Sequence, residues 1–277
     1  MLSEDRLHAL ADRLAEVPGV VGVVLGGSRA RGDEQPGSDV DLGLLYRPPL
    51  DVEALRRLAV SEADARPGSA DDPGGSVTAP GAWGPWVDGG AWLSVDGTPV
   101  DWLYRDLDRI RASVTDAHAG HLDFAFQVGH PLGVSTVAYA GELAMARVLA
   151  DPTGEVAAVQ AELAVYPDAL RRAVLERLDE ARFLLGVVAK SAGRGDAAYV
   201  AGVLFRVVGL CAHAVHARAG RWVVNEKGLV DQAGRLPTAP AGFADRAHGV
   251  FALVGREPDS LRGAVAGASA LVDSVAP

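Results

Sequence analysis

The stretch from Leu25 to Tyr46, LGGSRARGDEQPGSDVDLGLLY, holds the residues best suited to chemistry. An apolar run ends in Gly26-Gly27-Ser28, and about ten residues later Asp39 and Asp41 flank a single valine. In an extended strand alternate side chains share a face, which puts both carboxylates on one side, about 6–7 Å apart along the chain. Two carboxylates that close repel each other and tend to share a proton. A bound divalent cation reverses that balance and keeps both ionised. Oxygen ligands favour Mg2+ or Mn2+ over zinc, and a pair of such ions can organise an in-line phosphoryl or nucleotidyl displacement. Gly26 and Gly27 let the backbone come close to a phosphate, and Ser28 adds a hydroxyl donor. Asp101 supplies a third acid. It sits between Val100 and Trp102 in an apolar strand, where a charge is costly unless paired with a cation; the structural alternative is a strand-edge carboxylate facing water.

These residues need elements to hold them. Residues 3–16 carry a helical stripe of Leu7, Leu10, Ala11 and Leu14, stopped by Pro18-Gly19. Residues 20–27 read as a buried strand ending in glycines. Residues 39–46 alternate, with Val40, Leu42, Leu44 and Tyr46 opposite Asp39 and Asp41. A helix over 51–64 precedes a Gly-, Pro- and Ser-rich loop over 66–90. The runs 91–95 and 98–104 form a hairpin about Asp96-Gly97, followed by a helix over 105–116. Beyond about residue 135 strand signals nearly vanish: helices are expected at 135–150, 168–191 and 196–219, then two or three shorter ones. This change of pattern predicts two domains, residues 1–125 and 126–277. The fold class is mixed α/β (α+β), a small mixed sheet followed by an all-α bundle.

Composition narrows the function classes. The chain has 277 residues, 49% hydrophobic and 22% charged, which excludes wholesale disorder. No uncharged apolar run reaches the length of about 18–20 residues a membrane span needs, and the amino terminus is charged and periodic, unlike a secretory signal. A single cysteine, Cys211, rules out an internal disulfide or a cysteine-based zinc site and fits a reducing cytoplasm. A net charge of −10 disfavours a long nucleic-acid substrate. Other glycine-loop chemistries fail on spacing. A nucleophile elbow needs glycine where Ala30 stands, and a Walker A loop needs a Gly-Lys-Ser/Thr context that neither Lys190 nor Lys227 has.

Taken together, Leu25-Gly26-Gly27-Ser28, Asp39-Val40-Asp41 and Asp101 resemble the signature of the DNA polymerase beta-like nucleotidyltransferase superfamily over roughly residues 20–105. The layout is most similar to its small-molecule branch, which includes the kanamycin and other aminoglycoside nucleotidyltransferases. The resemblance implies an enzyme with a helical domain closing a nucleotide cleft. It implies transfer of a nucleoside monophosphate from a nucleoside triphosphate, with ATP the expected donor, to a hydroxyl of a small-molecule acceptor, releasing pyrophosphate. Asp39, Asp41 and Asp101 would hold two Mg2+ ions, with Mn2+ as a substitute; Gly27 and Ser28 would bind the β- and γ-phosphates. Lys227, in Asn225-Glu226-Lys227-Gly228, would neutralise the leaving pyrophosphate, with Lys190 as a second candidate. The alternative function is a regulatory, antitoxin-like module that attaches AMP to a partner protein or only binds one.

Weaker signals have structural readings beside the functional ones. Glu226 is a general base or part of a helix cap. Arg29 and Arg31 reach phosphate or face solvent. Trp83, Trp86, Trp92 and Trp102 stack on a substrate ring or pack a hairpin against helices. His213 and His216 share a helix face as metal ligands or as packed side chains.

Overall fold

The computed structural model describes residues 2–32, 37–64 and 76–276. Their order is α1 (Glu4–Ala15), β1 (Val20–Leu25), α2 (Gly27–Arg31), β2 (Val40–Tyr46), α3 (Val52–Glu62), β3 (Gly90–Val95), β4 (Thr98–Asp106), α4 (Leu107–Ala119), β5 (Phe124–Gln127), β6 (His130–Ser135), α5 (Ala138–Met145), β7 (Arg147–Ala150), α6 (Glu155–Ala161), α7 (Asp168–Ala192), α8 (Ala197–Arg218), α9 (Leu229–Gly234), α10 (Phe243–Ala252) and α11 (Pro258–Val275). The mixed α/β class expected from the sequence is the one observed. The chain divides into two compact units. One comprises Met1–Thr115, Gln127–Gly129 and Tyr139–Ala164; the other comprises Asp116–Phe126, His130–Ala138 and Val165–Pro277.

The first unit is built on a five-stranded sheet in the order β3-β4-β2-β1-β7. Its β2–β4 pair is parallel and its other pairs are antiparallel. Helix α1 starts where the Ser3 side chain accepts a hydrogen bond from the Arg6 N–H (3.2 Å), and its stripe of Leu7, Leu10, Ala11 and Leu14 is buried. Val40, Leu42, Leu44 and Trp102 join that core from the sheet. The β3–β4 hairpin turns at Asp96 (φ 50°) and Gly97 (φ 70°), the positive values a two-residue hairpin turn requires. Asp64 holds the turn, accepting from the Ser94 hydroxyl (2.7 Å) and the Gly97 N–H (2.8 Å).

Two expectations change. Residues 135–150 do not form one helix: α5 stops at Met145, and Arg147–Ala150 pair with β1 as β7. Four apolar-rich residues have too little period to separate strand from helix, and the open edge of β1 decides the outcome. Residues 124–135, beside the region where strand signals fade, form the β5–β6 hairpin, turned at Gly129 (φ 88°). Residues 66–75 of the expected 66–90 loop lie outside the described residues. The remainder, 76–89, holds neither β-strand nor α-helix and is pinned by Asp88, which accepts from the Tyr46 hydroxyl (2.9 Å) and the Gly81 N–H (2.8 Å).

The second unit packs α7, α8, α10 and α11 around one apolar core, with α9 and the β5–β6 hairpin against it. Helix α8 is long and apolar enough by composition to cross a membrane. However, 67% of its most apolar window is buried, so this apolarity serves the core. Its His213 and His216 are buried there. His216 Nδ1 lies 2.9 Å from the Ala212 carbonyl, and His213 meets Phe124 edge to face; both read as packed side chains.

Burial lowers the pKa of both histidines, His213 to about 3, with the neighbouring His216 and Arg206 acting in the same direction on His213. An unfolded histidine takes up a proton below about pH 6.5, whereas folded His213 stays neutral. Its contribution to stability is therefore complete above pH 6.5 and declines as the pH falls towards 3. The linkage slope of about 1.4 kcal/mol per pH unit gives about 2 kcal/mol lost by pH 5. Urea midpoints at pH 7.5 and pH 5 should differ less in His213→Leu than in the wild type; equal differences would refute this.

Candidate active site

The sheet brings three of the expected acids onto one face. Asp41 of β2 stands directly beside Asp101 of β4 in the parallel pair. Asp39 lies two residues before Asp41, just ahead of β2, and is exposed, whereas Asp41 and Asp101 are half-buried. Paired residues on neighbouring strands share a face, with strands about 4.8 Å apart. The odd-numbered acids thus face away from Val40, Leu42 and Trp102, which are buried in the core.

The glycine turn closes on the same acids from the other side. The Gly26 N–H donates to the Asp41 carbonyl (2.8 Å), carrying the β1–β2 ladder one residue beyond the strand. Gly27 follows with φ 63° and opens α2. A Cβ built on it would sit 1.8 Å from Asp41 Oδ2. Here glycine is required twice, for its left-handed backbone and for the close approach. Ser28 is half-buried on the first turn of α2.

Arg29 has a role that sequence reasoning missed. Its guanidinium donates to the carbonyls of Asp39 (3.2 Å) and Ser38 (2.9 Å). It ties α2 to the chain entering β2, and so positions the acid strand. The Arg31 side chain lies outside the described residues.

Electrostatics mark Asp101. Its carboxyl is pushed up to about 6, chiefly by burial and then by the charges of Asp41 and Asp39. Among the described residues no group of three His, Cys, Asp or Glu side chains is arranged to hold a metal ion outright. The donor set nevertheless fits a hard divalent cation. It offers carboxylate oxygen only, gathered on one face, with a mutual repulsion that a cation relieves.

The remaining candidates lie in the second unit and are not among the residues the sheet gathers. Lys190 is exposed in the last turn of α7, where a cation suits the helix dipole. Lys227 is exposed beside an Asx turn in which its N–H donates to Asn225 Oδ1 (3.0 Å). Glu226 has one oxygen 3.3 Å from His130 Nδ1 and, among the described residues, the other is buried without a hydrogen bond.

The tryptophans divide. Trp102 is fully buried in the core, and Trp86 packs on Tyr139 and under Arg109. Trp83 and Trp92 stack on each other, centroids 4.4 Å apart and planes 13° from parallel.

Comparison with known proteins finds one family match, over the glycine turn and two of the three acids. Residues 7–67 match the family model described as nucleotidyltransferase domain, a span that takes in Gly26–Ser28, Asp39 and Asp41 and ends before Asp101. A solved structure of a nucleotidyltransferase-like protein from Exiguobacterium sibiricum is similar with a TM-score of 0.39 and 11% identity, covering 95% of this chain and 71% of that one. No curated protein matches the chain in sequence. Over residues 7–67 the chain is similar to a nucleotidyltransferase domain, and that match supports a transferase.

Proposed function

We propose that this enzyme transfers a nucleoside monophosphate from a Mg2+-bound nucleoside triphosphate to a hydroxyl of a small-molecule acceptor. One observation carries the reading: Asp41 and Asp101 stand side by side with Asp39 on their face, and Gly27 packs against Asp41. When bound, divalent cations neutralise the triphosphate and acidify the acceptor hydroxyl. Asp39 and Asp41 hold the cations, and Asp101 orients the acceptor hydroxyl and takes its proton. The hydroxyl oxygen bonds to the α-phosphorus as the bond to the β-phosphate oxygen breaks, and pyrophosphate leaves. The Gly27 backbone and the Ser28 hydroxyl bind the β- and γ-phosphates. The rate gain comes from positioning and charge rather than covalent chemistry. A cytoplasmic setting supplies the donor, with ATP the expected one.

The test titrates ATP, GTP, CTP and UTP into the protein with and without Mg2+, and again into Asp41→Asn. Binding of at least one triphosphate that requires Mg2+ and weakens more than about tenfold in the variant supports the reading. Binding that ignores both the metal and the substitution overturns it.

A further inference from the structure

Helix α7 turns one side to the core of its unit through Val174, Leu178, Ala181, Leu185 and Val188. Its other side carries Glu176, Asp179, Phe183, Gly186 and Lys190, all exposed. They follow one another at steps of three and four residues, the spacing that lines up one stripe of a helix and lets two helices pair. Phe183, at the middle of the stripe, is 70% exposed. Gly186 comes next, in the interior of the helix, where glycine is disfavoured by its backbone freedom. No close approach within the chain requires it. Among the described residues a Cβ there would meet nothing within 4 Å, and the glycine borders a cavity of about 520 Å3 between α7 and α11. The stripe thus offers an aromatic knob and, one turn on, an empty slot.

Charge along the stripe is sorted by half. The acids Glu176 and Asp179 precede Phe183; the cations Lys190 and, just beyond the helix, Arg194 follow Gly186. Arg182 holds the Asp179 carboxylate from one side (2.7 Å), and both remain exposed. The chain carries a net charge of −10, so two copies repel over much of their surface, whereas these four charges cancel. An antiparallel second α7, with the two-fold axis level with the Leu184–Leu185 bond, opposes each half to its complement. Phe183 of each copy then faces Gly186 of the other, and Asp179 faces Lys190. Two-fold symmetry makes each of these contacts twice. A parallel pairing would instead set Phe183 on Phe183 and Asp179 on Asp179, like charge on like.

We infer that the outward stripe of α7 is a dimer interface, and that its occupant is α7 of a second copy of this chain in antiparallel register. The Phe183 ring fills the space that Gly186 leaves open, and Lys190 is the ionic partner of Asp179 across the interface. The inference is independent of the transfer reading above.

The test is sedimentation equilibrium of the full chain over about 1 to 100 μM. The wild type should show a reversible monomer–dimer equilibrium. Phe183→Glu and Gly186→Glu should each raise the dissociation constant at least about tenfold, with circular dichroism unchanged because both positions are exposed. Gly186→Glu also installs a better helix former, so the thermal midpoint of its dilute monomer should not fall. Asp179→Lys and Lys190→Asp should each weaken the dimer, and the double variant should return to within about threefold of the wild type. A dimer untouched by Phe183→Glu, or a double variant no tighter than the single ones, overturns the assignment. A wild type that stays monomeric also overturns it and leaves the stripe to the helix of a different protein.

Discussion

Asp41→Ala is expected to lower pyrophosphate release from the triphosphate by about a thousandfold or more, with the fold intact. Asp41 is central to the row: beside Asp101, two residues from Asp39, and in contact range of Gly27. On the proposed function, its loss removes a cation ligand from the centre of the row. The side chain faces away from the apolar core formed by Leu42, Leu44 and Trp102, so circular dichroism and the thermal midpoint should stay close to the wild type. A second readout separates loss of the acid from loss of structure. Asp41 raises the Asp101 carboxyl, which stands at about 6. In metal-free Asp41→Ala, carbon NMR should show Asp101 titrating at lower pH. Residual turnover within tenfold of the wild type, or an unmoved Asp101, would remove Asp41 from the centre of the site.

Gly27→Ala is expected to cost about a hundredfold in the same assay, by steric means. The added Cβ would meet Asp41 Oδ2 at 1.8 Å, so either the carboxylate or the turn must move. A displacement of about 1 Å at a reacting centre is enough for a loss of this size. The left-handed backbone at φ 63° adds a penalty of about 1–2 kcal/mol in stability. Gly32→Ala is the control. Gly32 has φ 71°, but a Cβ there meets nothing within 4 Å among the described residues. Both variants should lose similar stability, whereas only Gly27→Ala should lose turnover. Comparable turnover losses in the two would show that backbone strain matters and contact with Asp41 does not.

What could be read in the sequence was local. Alternation with a period of two told which side of β2 carries Asp39 and Asp41, because Val40, Leu42 and Leu44 had to face a core. Asp96-Gly97 announced its hairpin through residues that tolerate positive φ. The Asp41–Asp101 register was not legible, because a parallel pairing between distant segments leaves no local pattern. Trp92 was grouped with its neighbours for the same reason. Its exposure follows only once the hairpin register puts it opposite Asp101 and Trp102 on the other face. Arg29 was ambiguous because its carbonyl partners are made by the turn and not by side-chain types. The β5–β6 hairpin did leave a signal, in Phe124 and Phe126 at alternate positions before Val128-Gly129. For β7 the four residues carried no usable period.

That last strand has a consequence for synthesis. Chain emerges from the ribosome at about 5–20 residues per second, so β1 waits on the order of ten seconds for β7, roughly 120 residues later. Until then the outer edge of VVGVVL, six residues without a charge or a proline, offers open backbone donors and acceptors to any neighbouring chain. A translation product that stops short of Arg147 carries all three acids yet keeps that edge uncovered, and the nascent protein is most prone to aggregate in that interval.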